Sequence, residues 1–116
     1  MGKDDKDYII IHTLDQAKQA LEVAEKSGAE ITLQTTPDAV FYAGSKYLLG
    51  MFRQAQEAYP NVKATFILDA GDAGAEAIAA MQDGHKNIKS SAKPEIRAKL
   101  KSIAAQYGVN FIEIDA

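Results

Sequence analysis

Ala64-Thr65-Phe66-Ile67-Leu68-Asp69-Ala70-Gly71-Asp72-Ala73-Gly74 reads as a strand that empties into a tight acidic turn. A β-branched and aromatic run ends at Asp69, and two glycines three residues apart follow. An alanine-rich helix, Ala75 to Gln82, continues from the turn and stops near Gly84. A strand, a short turn and a helix in that order form half of a βαβ unit, so the flanking sequence decides whether the pattern repeats.

It repeats in both directions. Upstream, Tyr8-Ile9-Ile10-Ile11 has no polar alternation, as expected for a strand covered on both faces. Leu14, Ala17, Leu21 and Ala24 then mark one helical face, and Gly28 stops that helix. Glu30-Ile31-Thr32-Leu33-Gln34-Thr35 is a second strand. After an aromatic segment, Leu48, Met51, Phe52, Ala55 and Tyr59 recur at helical spacing until Pro60-Asn61. Downstream, Asn87-Ile88-Lys89-Ser90 is a short candidate strand. Pro94 opens a helix marked by Ile96, Leu100, Ile103, Ala104 and Tyr107. Gly108 ends it, and Val109-Asn110-Phe111-Ile112-Glu113-Ile114 is the last strand.

Strands alternating with helices through short connections give a parallel sheet with right-handed crossovers. The expected fold class is therefore α/β, a flavodoxin-like three-layer α/β/α sandwich on a mostly parallel sheet of four or five strands. The pattern leaves strand order open. Residues 1–6 are expected to be a flexible polar tail, and residues 7–116 a single domain.

Composition narrows the function classes. The chain has 116 residues, 47% of them apolar and 25% charged, which suits one globular domain. A net charge of −3 gives no cationic excess for nucleic acid. Cysteine is absent, which removes thiol catalysis and zinc ribbons and fits a reducing, cytoplasmic location. The charged start, Met1-Gly2-Lys3-Asp4-Asp5-Lys6-Asp7, is not a secretory signal, and no apolar run is long enough to span a membrane. The sequence names no cofactor.

Open parallel sheets bind ligands outside the carboxyl ends of their strands. The first strand delivers His12 and Thr13 to that rim, and the second delivers Thr35, Thr36 and Asp38. The third brings Asp69, Gly71 and Asp72, the fourth Ser90 and Ser91, and the last Asp115. Helix capping accounts for several of these. Thr13-Leu14-Asp15-Gln16 is a capping-box pattern, Thr36-Pro37 resembles an N-cap with proline following, and Asp72 and Ser91 can cap the next helices.

Capping does not explain His12 or Asp69. If the first and third strands are neighbours, an imidazole and a carboxylate meet at the rim, the arrangement of a general base held by its partner. His12 and Asp69 are thus the candidate catalytic pair. Thr13, Thr35, Thr36, Gly71, Asp72, Ser90 and Ser91 are the candidate ligand-binding residues, with no metal ligand set. The two carboxylates of the Asp69–Gly74 turn would repel a bare phosphate unless a cation stood between them. A hydroxyl-bearing or cationic ligand, or hydrated Mg²⁺, suits that turn better.

No dinucleotide fingerprint follows the first strand, and Gly44-Ser45-Lys46 has the wrong order for a phosphate loop. Size and element order are similar to a response-regulator receiver domain, with Asp69 and Ser90 near the expected positions of its phosphorylated aspartate and hydroxyl. The acidic pair after the first strand and a lysine after the last are both missing, so receiver chemistry is not implied.

Two surfaces stand out. Lys86, Lys89, Lys93, Arg97, Lys99 and Lys101 form a late basic run with Glu95 alone among them. It reads as the solvated side of a helix, or as a docking face for an acidic partner. Phe41, Tyr42, Tyr47, Leu48, Leu49, Met51 and Phe52 point in more directions than one buried stripe requires. A homo-oligomer formed through this second helix is therefore expected, with Phe41, Tyr42, Tyr47 and Leu49 at its contact.

The first functional expectation is a self-associating ligand-binding or regulatory domain that takes a small polar ligand at the carboxyl rim. The alternatives are a small lyase, isomerase or hydrolase, metal-independent or Mg-dependent, that uses His12 and Asp69, and a protein-interaction module with a basic face.

Overall fold

The computed structural model describes residues 8–114. The tail of residues 1–6 and Asp115 lie outside the described residues. Five strands form one wholly parallel sheet with helices in the connections, so the expected α/β class is found. The elements are β1 (Ile9–Ile10), α1 (Leu14–Ser27), β2 (Ile31–Gln34), α2 (Ala39–Ala43), α3 (Ser45–Ala58), β3 (Ala64–Asp69), α4 (Gly74–Asp83), β4 (Asn87–Ser90), α5 (Pro94–Tyr107) and β5 (Asn110–Glu113). Asn87–Ser90 is a strand, paired with β3 on one side and β5 on the other. No described helix is long and apolar enough to cross a membrane.

Strand order is β1-β2-β3-β4-β5. A flavodoxin-like order would set the first strand between the second and third. Here β2 stands between β1 and β3, so the neighbour relation on which the His12–Asp69 pairing was conditional is corrected. Every connection advances by one strand in the same direction. Right-handed crossovers of that kind carry each helix to the same side. The long helices accordingly pack as one row, α1 on α3, α3 on α4 and α4 on α5.

Register assigns the two faces of the sheet. Leu33 pairs with Phe66, Leu68 with Ile88, and Ile88 in turn with Phe111. In-register residues on parallel neighbours point to the same side. Leu33, Leu68 and Ile88 belong to the main apolar core beneath the helices, with Phe66 and Phe111 packed against it. The alternate residues, Thr32, Gln34, Ile67, Asp69, Lys89 and Ile112, lie on the opposite face, which none of the described helices covers. Ile67 is buried but stands outside the main core cluster, as this assignment requires.

Three local expectations need correction. β1 is not covered on both faces, since Ile9 is 47% and Ile10 39% exposed. As an edge strand of two residues it lacks a neighbour on one side. The second helix is two helices, broken at Gly44, whose φ of 84° no helix accommodates. Thr36, Asp72 and Ser91 are not the caps, because α2, α4 and α5 begin after Asp38, Ala73 and Lys93, none with a side-chain capping bond. Thr13 does cap α1, accepting from the Gln16 N–H at 3.1 Å.

The late basic run is also not a uniformly solvated face. Lys89 lies in β4 at 1% exposed, and Arg97 is buried with Nη1 donating to the Ile114 carbonyl at 3.2 Å. The residue type of Lys89 reads as surface, but β4 is an inner strand, and Gln34 and the Tyr8 ring cover the amine.

Candidate functional site

At the carboxyl ends of β2, β3 and β4 the structure gathers five of the residues singled out by sequence: Thr35, Asp69, Gly71, Ser90 and Ser91. The Asp69 N–H donates to Thr35 Oγ1 at 3.0 Å, and Asp69 Oδ1 accepts from the Gly71 N–H at 2.9 Å. The Gly71 carbonyl accepts from the Ser91 N–H at 2.8 Å and from Ser90 Oγ at 3.5 Å. Ser90 Oγ in turn accepts from the Ala92 N–H at 3.2 Å. Thr35 and Ser90 are fully buried, so their hydroxyls tie the three strand ends together. Gly71 makes the turn possible: its φ is +57°, and a Cβ there would stand 3.2 Å from Pro37 Cβ.

The residue the sequence reading missed is Lys89. It pairs in register with Asp69 across β3 and β4. Its Nζ donates to Gln34 Oε1 at 2.6 Å and stands 4.2 Å from the centre of the Tyr8 ring. Gln34 Nε2 faces Asp69 Oδ2 at 3.4 Å, which closes a buried chain from amine to amide to carboxyl. Burying an ammonium is costly unless it is paired and hydrogen-bonded. The amide, the aromatic face and the nearby carboxylate supply that pairing. The available signal was parity: Lys89 follows Ile88 in a candidate strand, so its side chain points to the other face of the sheet from Ile88.

Burial raises the Asp69 carboxyl pKa above its ordinary value; the Gly71 N–H and the Lys89 charge oppose that rise without cancelling it. A carboxyl held this way is readier to carry a proton than a solvated one. Beside an ammonium and an amide, it can hydrogen-bond hydroxyl and carbonyl oxygens and accept or return a proton.

His12, Thr36 and Asp38 are brought together elsewhere. With Tyr42 and Tyr47 they line a cleft of about 480 Å³, a size that suits a small ligand. No hydrogen bond joins His12 to Asp69: the His12 N–H donates to Gln16 Oε1, while the Asp69 carboxylate faces Gln34 and Gly71. Thr13 is occupied as the α1 cap, and Asp72 is exposed. Among the described residues there is no group of three or more acidic or histidine side chains placed to hold a metal.

No family model matches the chain. It is similar to a fructose-bisphosphate aldolase of Nostoc commune, 26% identical over 100 residues that make up 86% of this chain and 28% of that one. A class 2 fructose-bisphosphate aldolase of Synechocystis is 24% identical over the same shares. The chain thus spans about 28% of the length of the curated relatives it matches.

Proposed function

We propose that this protein binds a small hydroxylated carbonyl compound or its phosphate ester at the carboxyl ends of β2–β4. The observation that carries this reading is Lys89, buried in register beside Asp69 on the sheet face that no helix covers. The acidic turn after β3 disfavours an anion unless a cation stands near, and Lys89 is that cation. Asp69 and Gln34 supply polar partners for hydroxyls. The similarity to fructose-bisphosphate aldolases supports fructose bisphosphate as the first ligand to try.

Calorimetric titration tests it, with fructose bisphosphate set against fructose and inorganic phosphate. Binding of the bisphosphate, weakened about tenfold or more in Lys89→Met, is expected, since a charge-assisted contact contributes on the order of 1.5–3 kcal/mol. Circular dichroism establishes that the variant is folded at the titration temperature. No heat at millimolar ligand, or equal affinity in the variant, defeats the reading.

A second reading is a lyase acting at the same place. The raised Asp69 carboxyl favours it, as a group suited to proton transfer beside a cation that can stabilise an enolate oxygen. Exchange of a ligand C–H for deuterium in D₂O, lost in Asp69→Asn, would establish the activity; no exchange leaves binding alone.

Self-association belongs to the same proposal. Phe41, Tyr42 and Tyr47 are 57%, 86% and 64% exposed on α2 and the first turn of α3. Leu49 instead lines a cavity behind α3, so the contact we propose uses the three aromatic residues without it.

A further inference from the structure

A second cavity lies at the other end of the sheet, behind α3 and the turn from α4 into β4. Its volume is about 360 Å³. Leu49 and Phe52 from α3 and Phe66 from β3 form its apolar wall, and His85 closes it from the turn. The Phe52 and Phe66 rings stack with centroids 4.8 Å apart, and His85 meets Phe52 edge-on at 5.9 Å. His85 is fixed there by Nε2 against the Ser45 carbonyl at 2.7 Å. Arg53 and Lys86, both exposed, also line the cavity. Asp83, two residues before His85, is engaged with the Ser45 hydroxyl. Gly84 leaves the wall open: a Cβ there would touch Arg53 Nη2 and Leu49 Cδ2, each at 3.5 Å, and its φ of +113° disfavours any side chain.

We propose that this cavity is a binding site for a small aromatic monocarboxylate, its ring against Leu49 and Phe66, the latter backed by the buried Phe52, and its carboxylate at Arg53 and Lys86. Stacked aromatic walls receive a flat ring in offset or edge-on contact. Two cations without a carboxylate lining the same cavity select an anionic head, and the planar guanidinium matches a carboxylate with two parallel hydrogen bonds. The volume falls within the range of small-molecule pockets, at its lower end. The site is independent of the Lys89 cluster, which lies near the opposite, carboxyl ends of the strands.

The test is a titration of isotope-labelled protein with phenylacetate, and separately with its neutral analogue phenylacetamide, followed by NMR. Amide shifts at Leu49, Phe66 and His85 through Asn87, with phenylacetate the tighter ligand, are expected. Arg53→Gln, at an exposed position, should weaken phenylacetate about tenfold, the loss of one charge-assisted contact. Leu49→Trp should fill the space and abolish binding; if that variant does not fold, Arg53→Gln decides. Equal binding of the neutral analogue, shifts confined to other regions, unchanged affinity in Arg53→Gln, or no shift at millimolar concentration overturns the proposal.

Discussion

Lys89 donates to Gln34 across the full width of β3, from β4 to β2, at 2.6 Å. A side chain spans two strand gaps, about 10 Å, only along the surface of a sheet face that no helix occupies. That one bond links the fold to the function proposed here. It exists because sequential strand order sends every helix to the other side.

Loss of the amine should be felt by both partners. Lys89→Met keeps the apolar stem but leaves Gln34 Oε1 unsatisfied, a cost of about 1–3 kcal/mol. Asp69→Asn should offset part of it, since the neutral amide needs no cation. A double-mutant cycle in urea is expected to give a coupling of about 0.5 kcal/mol or more; strict additivity would mean that Lys89 and Asp69 do not interact.

The pH dependence of stability should carry two opposed contributions. Burial raises the Asp69 carboxyl above 3.8, so its share is complete below 3.8 and is lost as pH climbs through the higher folded value. Burial chiefly lowers the His85 imidazole below 6.5, so its share is complete above 6.5 and is lost as pH falls through the lower folded value. Urea midpoints from pH 3 to pH 8, about the range where carboxyls and imidazoles titrate, separate the two. Asp69→Asn should remove a decline toward higher pH, and His85→Gln a decline toward lower pH.

The turn after β3 should resist a side chain. Gly71→Ala forces an L-residue to φ +57° and sets its Cβ against Pro37, at an expected cost of about 1–2 kcal/mol. Thermal or chemical denaturation reads this directly. The same change at Gly50, helical and with open space around it, should stabilise by a few tenths up to about 1 kcal/mol.

The aromatic patch makes a prediction about assembly. Sedimentation velocity at micromolar concentration should show an assembly larger than one chain, converted to monomer by Phe41→Ser with Tyr42→Ser. Both side chains are exposed, so their replacement should leave the melting temperature of the monomer within a few degrees. A wild-type protein that sediments as a monomer removes the self-association proposal.

Local pattern was enough for the alternation of strands and helices. Ile31, Leu33, Phe66, Leu68 and Ile88 carry the strand signal in their own side chains, and the glycines that stop α1, α4 and α5 stand where backbone angles demand them. Asp69, Thr35, Gly71, Ser90 and Ser91 were also legible as a group, because residues at the ends of parallel strands converge on one rim whichever strands are neighbours.

What the sequence could not determine was which strand lies beside which, since crossover connections of similar length serve either order. Only the tertiary structure decided that β2 separates His12 from Asp69 and that the described helices all leave one sheet face clear. On that face Lys89 turns inward to Gln34, 55 positions earlier in the chain. Pairings at such separations depend on the packing of the whole sheet, whereas periodicity reports a residue's neighbours three or four positions away.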